Sequence, residues 1–182
     1  MALAVAKTAL TTWDEFLKLP DPDNGAVLEL HDGEVVLVPP PSPDHFSLQD
    51  CLLLWINDKA KGKGRAAAEF PYRPATNLQF WKADVAYAPL ADWAKIRGTE
   101  WPVYSPPFII EILSPSNRRG KLDRQRWAAM SNGTREFWIV DAGKKQIEVH
   151  RLGAVTQTCG IDDVIPVKAL NGAKFPVRLL FS

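Results

Sequence analysis

Apolar residues recur along this chain with a helical period in some segments and with a strand period in others. Thr12 and Glu15 match a capping box, in which each residue bonds the backbone of the other at the start of a helix. Gly133 follows one of the helical segments and is typical of a helix end. Helices are predicted over residues 12–20, 44–60, 90–97 and 121–132, with Gly98 closing the third.

The strand-like segments contain β-branched and aromatic residues between turn signals. An Asp32-Gly33 turn predicts a hairpin near the N-terminus, and Gly153 predicts another near the C-terminus. Strands are predicted over residues 27–30, 34–38, 66–70, 78–87, 108–113, 136–140, 146–151, 155–158 and 175–181. We expect one α/β (α+β) domain over residues 1–182, with a mixed central sheet flanked by helices and with N-terminal and C-terminal β-hairpins.

Glu111 is the one charged residue in the apolar run Phe108–Leu113, which is bounded by prolines and serines. A run of this length and composition predicts a central strand that is buried on both faces. A glutamate is almost never fully buried without a partner, because losing water around its charge is costly. We therefore expect Glu111 to enter a polar pocket, beside a metal ion or a cation.

Asp84 is a second acid within a predicted strand, where it shares a face with Lys82. Two carboxylates on neighbouring strands, surrounded by apolar residues, could hold a hard divalent ion such as Mg²⁺ through oxygens at about 2.0–2.1 Å. Alternatively, Asp84 pairs with Lys82 and Glu111 pairs with an arginine, as two structural ion pairs. The spacing leaves both interpretations open.

The 182 residues carry a net charge of +1, with 46% hydrophobic and 24% charged residues, as in an ordinary globular protein. This balance gives no overall signal for nucleic acid, so any basic surface must be local. Residues 59–65 and 117–121, with Arg124 and Arg126, form two basic clusters that could neutralise phosphates or simply face solvent. No zinc-ligand spacing, phosphate-binding glycine loop or nucleophile elbow is present.

The two cysteines, Cys51 and Cys159, suit reduced thiols better than a disulfide framework. The N-terminus lacks the basic start of a signal peptide, and no apolar run approaches about 18 residues. We therefore expect a cytoplasmic protein that does not enter a membrane.

Several motifs occur in an order that resembles a known family. They are Glu29 in a Leu-Glu-Leu-x-Asp-Gly-Glu hairpin, His45 at the start of a long helix, Asp84 on a strand, Glu111-Ile-Leu-Ser-Pro-Ser116, and Glu136-Phe-Trp-Ile-Val-Asp141. Over about residues 12–152 the chain is similar to the Uma-type putative restriction endonuclease family, which resembles the PD-(D/E)xK nuclease superfamily. The resemblance implies a restriction-endonuclease-like fold and a magnesium-dependent phosphodiesterase.

The same resemblance implies roles for individual residues. Asp84 and Glu111 would hold Mg²⁺, or Mn²⁺ in its place, and Glu29 and His45 would support them. By this resemblance, Glu29 would be a third acid of the site. His45 would contact a phosphate or one of the carboxylates. More often, a histidine near a helix start caps the helix or packs against neighbouring residues.

The chain departs from the superfamily at its usual lysine. That lysine would stand two residues after Glu111, where this chain has Leu113. The suspected family instead has an Asp-x-x-x-Lys-x-x-x-Tyr helix, whose positions here are Lys121, Gln125 and Ala129. Lys121 lies one helical turn before Gln125, so we name Lys121 as the substitute catalytic residue and Gln125 as a supporting one. Lys121 could equally be solvated or paired with Asp123, and Ala83 replaces the proline that usually precedes the strand acid.

Two functions are therefore expected from the sequence. The first is a magnesium-dependent DNA endonuclease in which Arg118, Arg119 and Arg124 contact DNA. The second is a catalytically weakened protein that keeps the nuclease fold and acts as a nucleic-acid-binding or dimeric scaffold. A homodimer is expected in either case, because two-fold dimers are the commonest oligomers and two sites can cut both strands of a duplex.

Overall fold

The computed structural model describes residues 10–23, 25–97, 101–114 and 119–182. The α-helices are α1 (Trp13–Phe16), α2 (Pro43–Ala60), α3 (Leu90–Lys95) and α4 (Arg119–Ser131). The strands are β1 (Val27–His31), β2 (Glu34–Val38), β3 (Gly64–Tyr72), β4 (Gln79–Pro89), β5 (Phe108–Ile112), β6 (Glu136–Asp141), β7 (Gln146–Arg151), β8 (Gln157–Cys159), β9 (Val164–Val167) and β10 (Ala173–Pro176). Short 3₁₀ helices cover Lys168–Leu170 and Val177–Leu180.

Eight strands form one mixed sheet. Its main order is β2-β1-β4-β5-β6-β7-β8, and β3 also pairs with β4. The strands β3, β4 and β5 form an antiparallel meander, and α4 then carries the chain to β6, which lies parallel to β5. This is the predicted α+β architecture with a mixed central sheet and helices beside it.

The two long helices cover different parts of the core. Leu52 and Ile56 of α2 pack in one apolar cluster with Ile110 and Trp138. Leu122 and Ala129 of α4 belong to another cluster, with Ile109 and Phe137. Alternate residues of β5 and β6 therefore face α2 and α4, as expected for strands buried on both faces. The burial of all five residues of β5 confirms the prediction made from its apolar run.

The alternation of side chains changes phase at Glu69 in β3. Ala66 and Val85 pack in the cluster under α2, whereas Phe70, four residues after Ala66, and Ala83, two residues before Val85, pack in the cluster under α4. Glu69 lies between them with a left-handed φ of 50°. A left-handed residue twists the strand locally. Even-numbered residues before and after Glu69 therefore point to opposite faces of the sheet.

The structure confirms both hairpins and the capping box at Thr12 and Glu15. Helix α1 ends at Phe16 rather than near Pro20, because the amides of Lys18 and Leu19 bond three residues back in tighter turns. Helix α2 begins at Pro43, with the Ser42 side chain as its cap. Gly98, the predicted end of the third helix, lies outside the described residues.

The edge strand predicted over residues 175–181 is confirmed only at Phe175 and Pro176. The strand ends at Pro176, and a 3₁₀ helix follows at Val177–Leu180. The strand pairs with β9, which the sequence did not indicate because Pro166 interrupts its pattern. Phe175 and Val177 pack in the cluster under α2, so this segment closes the core there.

No helix within the described ranges is both long and apolar enough to cross a membrane. Both cysteines are free thiols, as the sequence predicted.

Glu136 joins the C-terminal segment to the central sheet. Its side chain is 1% exposed and accepts hydrogen bonds from Arg151 Nη2 at 2.9 Å and Trp138 Nε1 at 3.1 Å. The backbone amides of Lys168 and Ala169 donate to its other oxygen. The carboxylate is therefore satisfied, and removing one partner would leave a buried charge with fewer donors.

We predict that Arg151→Met lowers the free energy of unfolding by about 3–5 kcal/mol, because it strips Glu136 of its cationic partner. The matched control is Arg178→Met, since Arg178 pairs with Asp162 where both side chains are largely exposed. Such a surface pair contributes about 0–1 kcal/mol. Urea unfolding followed by tryptophan fluorescence measures both, and equal losses in the two variants would contradict the prediction.

Candidate active site

Asp84 and Glu111 face each other across two neighbouring strands. The antiparallel register of β4 and β5 pairs Val85 with Ile110, so Asp84 and Glu111 occupy the next pair of positions. In β3, the register of Ala68 with Val85 brings Glu69 opposite Asp84 on its other side. Three acids thus stand in one row across β3, β4 and β5.

This row borders a pocket of about 230 Å³. The pocket is lined by four acids, by His45, Lys82, Lys121 and Gln125, and by the segment from Val38 to Ser42 that links β2 to α2. The four acids are Glu29, Glu69, Asp84 and Glu111. The structure therefore brings together all six of the predicted metal, catalytic and supporting residues.

Asp84 is held by a helix on one side and by a neighbouring strand on the other. His45 Nε2, from the first turn of α2, lies 3.0 Å from Asp84 Oδ1. The backbone amide of Ile112 donates to Asp84 Oδ2 at 2.6 Å. The bond to Asp84 raises the pKa of His45, which burial alone would lower. The carboxylate is therefore fixed in position, and each oxygen keeps a lone pair for a further ligand.

Glu111 is only 4% exposed, and its Oε1 accepts a hydrogen bond from Gln125 Nε2 at 2.7 Å. Burial raises the pKa of Glu111 well above its ordinary value, and the negative charges of Asp84 and Glu29 raise it further. Lys121 and the bond from Gln125 act in the opposite direction. A cation in the pocket would relieve this repulsion, because it favours the ionised carboxylate.

Glu29 lies in the same pocket but has partners of its own. His31 Nε2 is 2.5 Å from Glu29 Oε2, and the backbone amide of Lys82 donates to Oε1 at 2.9 Å. Lys121 Nζ lies 3.3 Å from Oε2. Burial acts to raise the pKa of Glu29, but the bond from His31 and the charge of Lys121 leave it lowered.

Lys121 therefore reaches the pocket, as the sequence predicted, but its partner there is Glu29 and not Asp123. It projects from the first turn of α4, one turn before Gln125. Its ammonium forms one ion pair and retains further N–H donors that could face a ligand in the pocket. Gln125, at the position where the resemblance implied a helix lysine, contacts Glu111 directly.

Glu69 is the acid to which the sequence assigned no role. It accepts a hydrogen bond from Gln49 Nε2 at 2.7 Å, and the same nitrogen donates to the backbone oxygen of Asp84 at 3.1 Å. Gln49 is 1% exposed, so α2 is tied to both β3 and β4 at this point. The one signal in the sequence was an acid following the small residues Ala66 to Ala68.

Within the described residues, no group of three or more His, Cys, Asp and Glu is positioned to hold a metal ion. Two facing carboxylates still suit Mg²⁺, which often binds one or two protein carboxylates and takes its other ligands from water and substrate phosphate. Nearby, the fully buried hydroxyl of Tyr72 has no well-aligned hydrogen-bond partner in the part of the chain described. Burial and the charge of Glu111 raise its pKa well above the ordinary value, so it remains a donor. The residues present therefore fit a hydrated divalent ion held by Asp84 and Glu111.

The partners named in the alternative interpretation, Lys82 for Asp84 and an arginine for Glu111, are not the ones found among the described residues. Asp84 contacts His45 rather than Lys82, and Glu111 contacts Gln125 rather than an arginine.

Three arginines are predicted to contact DNA. Arg118 lies outside the described residues. Arg119 is bound through both terminal nitrogens by the carboxylate of Glu148, and Arg124 is exposed on α4. The structure therefore brings neither Arg119 nor Arg124 into the lining of the acidic pocket.

A solved structure resembles this fold over nearly its whole length. It is described as a putative nuclease belonging to DUF820 from Anabaena variabilis, and it superposes with a TM-score of 0.79 at 24% sequence identity. The match covers 92% of this chain and 96% of that one. Curated proteins gave no match.

A profile of the Uma2 family, described as putative restriction endonucleases, matches residues 13–178. This range includes every element of the sheet and all the residues that line the acidic pocket. The chain therefore belongs to the Uma2 family of putative restriction endonucleases.

Proposed function

We propose that this chain is a metal-dependent endonuclease that hydrolyses phosphodiester bonds in DNA, with Mg²⁺ or Mn²⁺ held by Asp84 and Glu111. The observation that carries the proposal is the register of β4 and β5, which sets these carboxylates opposite each other in one pocket. The family supports a nuclease, and the paired acids supply a reason for the metal.

The residues around the pair would prepare it for this reaction. Bound Mg²⁺ supplies an acidic water and stabilises negative charge on the phosphate oxygens. His45 and the Ile112 amide fix the Asp84 carboxylate, and Gln125 fixes Glu111. Lys121, held by Glu29, places a positive charge in the pocket where a phosphate oxygen could accept its N–H.

Gln125 favours a second candidate function. A glutamine side chain cannot accept a proton from water as a neutral lysine can. The positive charge of Lys121 is also partly offset by its ion pair with Glu29. The alternative is therefore a catalytically weakened protein that keeps the nuclease fold and binds nucleic acid as a scaffold. A cytoplasmic location and a homodimer are part of both proposals.

The first prediction concerns the metal ligands. Asp84→Asn and Glu111→Gln should each reduce nicking of supercoiled DNA with Mg²⁺ or Mn²⁺ by about 100-fold or more, since each removes a charge that holds the ion. The assay compares both metals with EDTA. Asp92→Asn is the matched control, because Asp92 lies on α3 and outside the pocket lining.

Full activity in either site variant would overturn the assignment of the metal. Absence of nicking by the folded parent protein under every metal would instead favour the scaffold.

The second prediction concerns the missing lysine. Gln125→Lys should raise the rate of metal-dependent nicking by about 10-fold or more, because it places a proton-transfer group beside Glu111. Gln125→Met is the matched control, with similar length and no polar group. Folding of both variants is checked by far-UV circular dichroism. An unchanged rate in folded Gln125→Lys would show that Lys121 already serves the reaction or that the lysine is not limiting.

The third prediction follows from the raised pKa of Glu111. In EDTA, stability due to this group is greatest below its unfolded pKa of about 4.3 and falls as pH rises toward its folded pKa. Glu111→Gln should flatten that fall. At pH 8, Mg²⁺ at about 100 times its Kd should raise the free energy of unfolding of the parent protein by about 2.7 kcal/mol, and it should not stabilise Glu111→Gln.

Denaturant unfolding across pH, with EDTA or Mg²⁺, measures both effects. An identical pH profile for parent and variant would contradict the placement of Glu111 as a buried, repelled carboxylate.

A further inference from the structure

A second pocket, of about 200 Å³, is also lined in part by residues of β3, the strand that contributes Glu69 to the acidic pocket. Ala67 and Ala68 contribute small side chains to it, and Trp93 and Trp101 contribute aromatic ones. Pockets for drug-sized ligands usually measure about 300–1,000 Å³. The smaller volume and the two indoles suit one flat ring system.

The Trp93 ring is held before any ligand binds. Its Nε1 donates to the backbone oxygen of Arg65 at 3.0 Å, and its ring meets Phe70 edge-on at a centroid distance of 5.2 Å. The Arg65 guanidinium carbon lies 4.1 Å from the ring centroid. An indole and a guanidinium stacked in this way form the kind of platform on which nucleobases stack.

The charges of the pocket are both positive. Arg65 and Arg97 line it and are exposed, and neither forms an ion pair with another described residue. By contrast, Arg119, Arg151 and Arg178 are each bound by a carboxylate. An aromatic pocket with two arginines that form no ion pair within the described residues is complementary to a base that carries phosphates on either side.

The two pockets share one segment of β3. Ala68 and Phe70 line the apolar pocket, and Glu69 between them lines the acidic one. Because β3 borders both pockets, one nucleic-acid strand could contact both, with a phosphate beside Asp84 and a base against Trp93. A base within a duplex is stacked and paired, so only an unpaired base could enter.

We propose that this pocket binds an unpaired nucleobase, so that the substrate is a nucleic-acid strand that is single-stranded next to the phosphate in the acidic pocket. The inference rests on the proposed function, since it takes nucleic acid to be the ligand of that pocket. Trp93 stacks on the base, and Arg65 and Arg97 contact its flanking phosphates.

The test uses binding in EDTA, so that no cleavage is needed to read it. Fluorescence anisotropy compares a labelled single strand, its duplex, and the same strand with abasic sites at its centre, all with the full chain. An abasic strand keeps its phosphates and loses only its bases. We expect it to bind about 5- to 150-fold more weakly than the intact strand, as for the loss of one stacked base, and the duplex to bind more weakly too.

Two variants locate the effect. Trp93→Leu should weaken binding of the intact strand by about fivefold or more and leave binding of the abasic strand unchanged. Trp127→Leu is the matched control, because Trp127 lies on α4, is 71% exposed and lies outside both pocket linings. If Trp93→Leu fails to fold, the comparison of intact and abasic strands with the parent protein still decides.

Equal affinity for intact and abasic strands, or tighter binding of the duplex, overturns the pocket assignment. It does so even if the protein nicks DNA with Mg²⁺, in which case the proposed function stands alone. Base-dependent binding by a protein that cleaves under no metal supports the pocket and contradicts the nuclease.

Discussion

The facing of two carboxylates across β4 and β5 is the constraint on which the rest of the site depends. Asp84 and Glu111 occupy adjacent positions of one register in a largely buried pocket, where like charges repel strongly because little water screens them. Hydrogen-bond donors and a cation from the surrounding chain offset this repulsion. His45 and Gln125 bind one acid each, and Lys121 pairs with Glu29 in the same pocket.

Backbone strain lies beside the facing carboxylates, at Glu69 of β3. The left-handed Glu69 turns β3, and this one strand contributes residues to both the aromatic pocket and the acidic one. Such backbone strain, of about 1–3 kcal/mol, persists only where the surrounding structure enforces it, and Gln49 does so here by binding Glu69 and the Asp84 carbonyl. Carboxylates that repel one another and backbone strain, gathered in one place, are typical of a functional site.

Local patterns sufficed for most of the elements and for the two principal acids. The run around Glu111 predicted a buried strand, and the cost of a charge there predicted a pocket. The phase change at Glu69 and the pairing of Lys121 with Glu29 could not be predicted, because they depend on contacts between residues far apart in sequence. The tail failed for a related reason: Pro166 and Pro176 hide a strand pair that tertiary packing of Phe175 stabilises.

The most direct test of the shared ion is a crystal soaked in Mn²⁺, with data collected for the anomalous signal of manganese. The account predicts one anomalous peak within bonding distance of an Asp84 oxygen and a Glu111 oxygen, and no peak there in Glu111→Gln. A peak elsewhere, or an equal peak in the variant, would show that the facing carboxylates do not hold the metal.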